Sequence, residues 1–216
     1  MKKILLLGAA AVVLAACGNR PKTQNETGQA GQNAEYAQYL DTLKADNNLK
    51  ITMGKVPVTI VGKELKVGDK ISEVPLVVNT KLEEKNIFED KNIKVIYTAP
   101  SLDTKVCSLQ TKQLNEAAKT HTNVKFYSVT VDTPFAQERF CTSNEINGLK
   151  AVSDFKYHQF GIQNGFFIKE KGLLTRALMI VDENNNVKYI EYVSEEGKEA
   201  DVDKALKFLE NKLLKK

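Results

Sequence analysis

Residues 93–120 read IKVIYTAPSLDTKVCSLQTKQLNEAAKT. Ile93 to Thr98 is a β-branched and aromatic run of strand length. Pro100 cannot donate to a ladder and stops it. Asp103 or Thr104 then caps a helix over Asp103 to Thr120, with Val106, Leu109 and Leu114 along one face. A strand feeding directly into a helix is half of an α/β unit. Downstream the pattern repeats. Val124 to Val131 (VKFYSVTV) is a second strand, and Thr133-Pro134 opens a second helix with Pro at its first position. Arg176 to Val181 and Val187 to Val193 flank the turn DENNN as a late hairpin. Val202, Ala205, Leu206, Leu209 and Leu213 line a closing amphipathic helix. Upstream, Ile51 to Met53 and Val56 to Val61 read as strands. Gly62-Lys63 separates the latter from Leu65 to Val67, which predicts an N-terminal β-hairpin. The fold class is therefore α/β, a central mixed sheet flanked by helices, over residues 50–216. No internal repeat is present.

Composition narrows the function. The chain has 216 residues, 42% hydrophobic and 27% charged, the balance of a globular protein. There are 31 Lys and Arg against 27 Asp and Glu, a formal charge of +4. Setting aside Lys2 and Lys3, in a segment read below as removed, leaves 29 against 27, or +2. So small a charge gives no electrostatic case for nucleic acid as a partner. Three Cys and two His are too few for a Cys/His zinc cluster, so no metal is expected. Neither a GxxxxGK[ST] loop nor a GxGxxG turn is present, and no nucleotide cofactor is expected.

The first residues form an address. MKKILLLGAAAVVLAACG combines a basic start with an apolar run from Ile4 to Ala16, too short to span a bilayer and of the right length for a secretory signal. It ends in Leu14-Ala15-Ala16-Cys17, which resembles the lipobox of bacterial lipoproteins. That resemblance implies a signal peptide over residues 1–16, acylation of Cys17, and a protein anchored by lipid to a membrane of the bacterial cell envelope on its extracytoplasmic side. Residues 17–49 are read as the lipidated cysteine and a flexible tether. GNRPKTQNETGQAGQNA, residues 18–34, holds no Leu, Ile, Val or aromatic residue and cannot offset its ordering entropy. Tyr36, Tyr39, Leu40 and Leu43 recur at helical spacing. An exported domain lies where disulfides persist.

Processing leaves two cysteines, Cys107 and Cys141, 34 residues apart. This is neither a CxxC pair nor metal-ligand spacing. Count and compartment leave a single structural disulfide open. The setting of Cys107 points to reactivity: it follows a proline-ended strand and falls in the first turn of a helix, where free N–H groups and the helix dipole favour a thiolate. Thr104, three residues earlier, has a hydroxyl that can lie beside the sulfur in a helical first turn.

The segment PSLDTKVC resembles the active-site loop of the peroxiredoxins, Pro-x-x-x-Thr-x-x-Cys, with Pro100, Thr104 and Cys107 in place. KVGDK (Lys66 to Lys70), TPFAQERFC and GLLTRA occur in the order of the thiol peroxidase subfamily, the atypical two-cysteine type, and the resemblance covers roughly residues 50–216. It implies a thioredoxin-like fold with an added N-terminal β-hairpin. Carried over, Cys107 is the peroxidatic cysteine and Cys141 the resolving one, bonded to it within one chain during turnover. Thr104 is the loop threonine, Arg176 of GLLTRA points at the peroxidatic sulfur, and Pro100, Thr104 and Arg176 frame the substrate. Arg139 takes a surface or packing role. The implied substrate is a peroxide, hydrogen peroxide or an organic hydroperoxide. The implied reductant is a thioredoxin-like protein, here exported or membrane-linked. The implied assembly is a homodimer.

Some features depart from the family pattern. Lys105 stands where members commonly have Pro, and reads as solvated. Tyr97-Thr98-Ala99 replaces a more aliphatic strand end, and Ser194 to Ala200 (SEEGKEA) an altered strand exit. Members are mostly soluble, so the lipobox is itself unusual. His121 and His158, among polar residues, read as surface. The lysines of the last helix read as a solvated face. The reading from a different class is a non-enzymatic envelope lipoprotein, with Cys107 and Cys141 in a structural disulfide on a thioredoxin-like binding fold.

Overall fold

The computed structural model describes residues 38–215. The signal peptide, Cys17 and most of the tether lie outside the described residues. The compact unit begins at Leu40, so it includes residues 40–49, grouped above with the tether. Ala45–Asp46 (β1) pairs parallel with Ile60–Lys63 (β4), and the Asn47 amide donates to the carbonyls of Ile60 and Gly62. Among the described residues no helix is long and apolar enough to cross a membrane.

The predicted hairpin forms, one turn earlier than expected. Ile51–Met53 (β2) pairs antiparallel with Val56–Val58 (β3) across Gly54 and Lys55. Both turn residues have positive φ, 60° and 67°, as the primed hairpin turns require. Val56 to Val61 is thus not one strand, and Leu65 to Val67 is not a strand. Gly62 is not a turn residue. It lies within β4 at φ 91°, where a Cβ would meet the Ile162 carbonyl oxygen at 2.1 Å.

The central sheet has seven strands. In chain order these are Leu76–Val77 (β5), Glu84–Lys85 (β6), Lys94–Thr98 (β7), Lys125–Thr130 (β8), Lys150–Ser153 (β9), Ala177–Val181 (β12) and Val187–Tyr192 (β13). Their spatial order is β13-β12-β7-β8-β9-β5-β6, with β7, β8 and β9 parallel and the other pairs antiparallel. A smaller sheet joins β1 and β4 to Phe167–Ile168 (β10) and Leu173–Leu174 (β11). The helices are Lys105–Thr120 (α1), Pro134–Ser143 (α2), Gln159–Gln163 (α3) and Val202–Phe208 (α4), the last continuing as a π-type turn over Leu209–Leu214. This is the mixed, helix-flanked sheet of a thioredoxin-like fold.

Alternation along β7 sends Val95 and Tyr97 to one face and Ile96 to the other, and the core divides accordingly. On the first face Cys107 and Leu114 of α1 and Val202, Ala205 and Leu209 pack against Tyr97, Leu178 and Ile180. On the second, Phe88, Phe160 and Phe166 pack against Ile96, Val129 and Met179. The stripe that α1 buries is Cys107, Gln110, Thr111, Leu114, Asn115 and Ala118, while Leu109, expected on that face, is 53% exposed. Gln110 and Asn115 are tolerated in the stripe because their side chains are hydrogen-bonded, whereas the Thr111 hydroxyl has no partner. The Gln110 amide donates to the Ala200 carbonyl at 2.7 Å, and Asn115 Oδ1 accepts the N–H groups of Asn147 and Gly148.

Candidate active site

Cys107 is the third residue of α1 and fully buried. The loop before it is pinned by Asp132 at the end of β8. Asp132 accepts the Ser101 hydroxyl and the Leu102 N–H, both at 2.7 Å, and the Thr130 hydroxyl at 2.9 Å. Pro100 is buried behind the loop. No acidic residue occupies the first turn of α1, so the positive end of its dipole stays available to the sulfur. Thr104 is the N-cap, with extended backbone at φ −85° and ψ 146°. Its hydroxyl donates to the Ser101 carbonyl at 3.2 Å and makes no capping bond to the first turn. Lys105 is exposed.

Arg176 immediately precedes β12, whose first residue Ala177 lies opposite Thr98 and whose Leu178 lies opposite Tyr97. Arg176 therefore reaches the site from the strand beside β7, on the face that carries α1. Its guanidinium donates from Nη1 to Cys107 Sγ at 3.2 Å and to the Tyr97 phenol oxygen, and from Nη2 to the Glu196 carbonyl at 2.6 Å. Its Nε is buried without a partner. The backbone is held as firmly: the Arg176 N–H donates to the Glu196 carboxylate, which also takes the Thr175 hydroxyl, and the Thr98 hydroxyl bonds the Thr175 carbonyl and the Ala177 N–H. A buried cation is costly unless paired; here the Cys107 sulfur, the Tyr97 oxygen and the Glu196 carbonyl take its N–H groups, with the Glu196 carboxylate close by.

Cys141 lies in the last turns of α2 and is partly buried. Burial pushes its thiol up from the ordinary cysteine value. It lines a cavity of about 550 Å³ together with Ile87, Tyr127 and Val152, residues of the second core face. Cys107 belongs to the first face. Both thiols are free.

Residues 66–206 match the Redoxin family. The chain belongs to the Redoxin family, in the thiol peroxidase subfamily of the peroxiredoxins. A thiol peroxidase of Oceanobacillus iheyensis is 39% identical over 160 residues, which cover 74% of this chain and 97% of that protein. A thiol peroxidase of Bacillus subtilis is 42% identical over 147 residues, 68% of this chain and 87% of that protein. Among solved structures, a peroxiredoxin-like protein from Aquifex aeolicus superposes with a TM-score of 0.71 at 37% identity, covering 76% of this chain and 96% of that one.

For a peroxiredoxin of this subfamily, the structure brings Cys107, Arg176 and Pro100 together at the end of β7, with Thr104 at the rim and Cys141 apart. Arg139 is exposed on α2. Tyr97, Gln110, Asp132 and Glu196 frame the site and were not singled out as site residues from sequence. Tyr97 carried a signal as an aromatic residue at a strand end expected to be aliphatic, and Glu196 lies in the altered strand exit Ser194 to Ala200. The histidines differ from expectation. His121 is largely buried, with Nδ1 2.8 Å from the Ala117 carbonyl and Nε2 3.2 Å from Glu210. His158 is half-buried, at φ 55°, with its ring 5.1 Å from that of Phe167, and burial lowers its pKa. Both serve packing.

Proposed function

We propose that this protein is a thiol-dependent peroxidase in which Cys107 attacks the peroxide and Cys141 resolves the product. The observation that carries the reading is the buried Arg176 guanidinium 3.2 Å from Cys107 Sγ. A permanently charged, planar donor beside a sulfur favours the thiolate. The unpartnered N–H at Arg176 Nε is a further donor in the same place, available to a peroxide oxygen. The Cys107 thiolate attacks the nearer oxygen of ROOH; the O–O bond breaks, the sulfur is oxidised to sulfenic acid, and the departing RO⁻ takes a proton to leave as ROH. Guanidinium and helix N–H groups act on the charge that develops on the leaving oxygen, which lowers the barrier. The Cys141 thiol then condenses with the sulfenic acid, forming the S–S bond and releasing water. A thioredoxin-like dithiol reduces that disulfide by exchange.

Resolution brings Cys141, carried on α2, to Cys107 with their Cα atoms within about 7 Å, and we take a shift or partial unwinding of α2 as the step that does so. The lipobox supports an envelope location, with the domain held on its tether by acylated Cys17. Leu109 and Phe135, 53% and 55% exposed near the starts of α1 and α2, are apolar surface that a homodimer would cover. The alternative, a binding protein with a structural disulfide, does not account for two free thiols or for a guanidinium buried against one of them. The test is turnover of hydrogen peroxide and of an alkyl hydroperoxide with thioredoxin as reductant. Activity abolished by Cys107→Ser supports the reading; activity indifferent to that change removes it.

A further inference from the structure

We propose that Tyr97 is a positioning residue for the reaction, setting the direction in which Arg176 presents its N–H to the reacting sulfur. The inference rests on the reading of Cys107 and Arg176 given above. Tyr97 is fully buried, on the sheet face that carries α1. Its hydroxyl donates to Gln110 Oε1 at 3.0 Å and accepts from Arg176 Nη1. Gln110 is fixed in turn: its amide donates to the Ala200 carbonyl at 2.7 Å and its Oε1 also accepts the Ala200 N–H at 3.2 Å. The phenol thus has one orientation, with its hydrogen toward Gln110 and a lone pair toward the guanidinium. Burial holds its pKa well above the ordinary tyrosine value, so it keeps that hydrogen.

The consequence follows from the shape of the guanidinium. Arg176 Nη1 carries two hydrogens, held in the plane at a fixed angle. One is taken by the Tyr97 oxygen and the other by Cys107 Sγ. Fixing the first fixes the direction of the second. The Glu196 carbonyl on Nη2 anchors the other arm of the fork but does not by itself decide how the Nη1 hydrogens lie. Without the phenol oxygen, the guanidinium is free to turn about its last side-chain bonds, and the sulfur and the leaving oxygen lose an oriented donor. Tyr97 also lies within hydrogen-bonding reach of the Cys107 side chain; the role proposed is the one it plays through Arg176, which comparison of the two Arg176 backgrounds isolates.

The experiment is single-turnover oxidation of the reduced full-length protein by hydrogen peroxide. Tyr97→Phe is made in the wild-type and in the Arg176→Lys backgrounds, with thermal midpoints measured alongside. Phe conserves the buried volume, and Gln110 Oε1 keeps the Ala200 N–H, so no acceptor is orphaned. The expected result is a loss of about tenfold in the oxidation rate of Cys107, the scale of one oriented hydrogen bond. In the Arg176→Lys background, where there is no fork to aim, Tyr97→Phe changes the rate by less than about twofold. If Tyr97→Phe does not fold, Gln110→Met, which removes the acceptor that orients the phenol, gives the same pattern at smaller amplitude. An undiminished rate in Tyr97→Phe, or equal losses in both backgrounds, overturns the assignment while leaving Cys107 and Arg176 in their roles. Wild-type protein inert to peroxide overturns the underlying reading and this inference with it.

Discussion

Arg176 Nη1 donates to Cys107 Sγ at 3.2 Å, and both residues are withdrawn from solvent. The cation arrives from β12 and the sulfur from the first turn of α1, so the sheet register determines their meeting. Ala177 opposite Thr98 places Arg176 beside the end of β7, and Pro100 with Asp132 turns the chain so that α1 begins over the same spot.

The first prediction concerns this pair. Arg176→Lys keeps the charge but loses the planar fork. The rate of Cys107 oxidation by hydrogen peroxide should fall about 10²-fold, the scale of removing one donor from a transition-state site. A rate within about twofold of wild type would show that the fork is not needed.

The second concerns the separation of the thiols. Cys141→Ser should accumulate sulfenic acid at Cys107, trapped by a dimedone-type probe, whereas wild type passes to the disulfide. In the oxidised wild-type protein the amides of residues 134–143 should exchange with solvent faster than in the reduced protein. Equal protection in both states would mean that α2 does not move to close the bond.

A third prediction is a pH dependence of stability. Asp154 is buried and accepts the Phe160 and Gly161 N–H groups, but burial still raises its pKa from 3.8 to about 6. The folded chain therefore binds a proton that the unfolded chain has released between those values. Its contribution to stability is fully present below about pH 4 and is lost as pH rises through 6, on the order of 2 to 3 kcal/mol. Asp154→Asn should remove that slope. Denaturant melts between pH 3.5 and 7 check it, and identical slopes in the two proteins would contradict it.

The fourth is steric. Gly62 sits at φ 91° with the Ile162 carbonyl where a Cβ would stand. Gly62→Ala should cost more than about 2 kcal/mol, through backbone strain and the displaced contact of β4 with α3. A thermal midpoint unchanged from wild type would show that the backbone relaxes freely there.

Much of this was legible because each sequence signal had a local cause. Pro100 ending a β-branched run, Thr133-Pro134 opening a helix, and DENNN between two apolar strands all act through their own backbones, and all appear where expected. The buried stripe of α1 was misread because apolar periodicity chose Leu109, whereas the helix faces the core through Cys107, Gln110 and Asn115, whose polar groups find partners distant in sequence. Gly62 was taken as a turn because close packing against Ile162, a hundred residues away, leaves no local trace. The strands β5, β9 and β10 are too short to show a period. The same distance in sequence hid Asp132 and Glu196, whose ordinary acidic side chains matter only through what they hold.

The most direct test of the account is to mix fully reduced protein with one equivalent of hydrogen peroxide, without reductant, and count thiols against time. The account predicts consumption far faster than by free cysteine, loss of both Cys107 and Cys141 thiols within a monomer, and abolition by Cys107→Ser but not by Cys141→Ser. Oxidation no faster than that of free cysteine, or unaffected by Cys107→Ser, would contradict it.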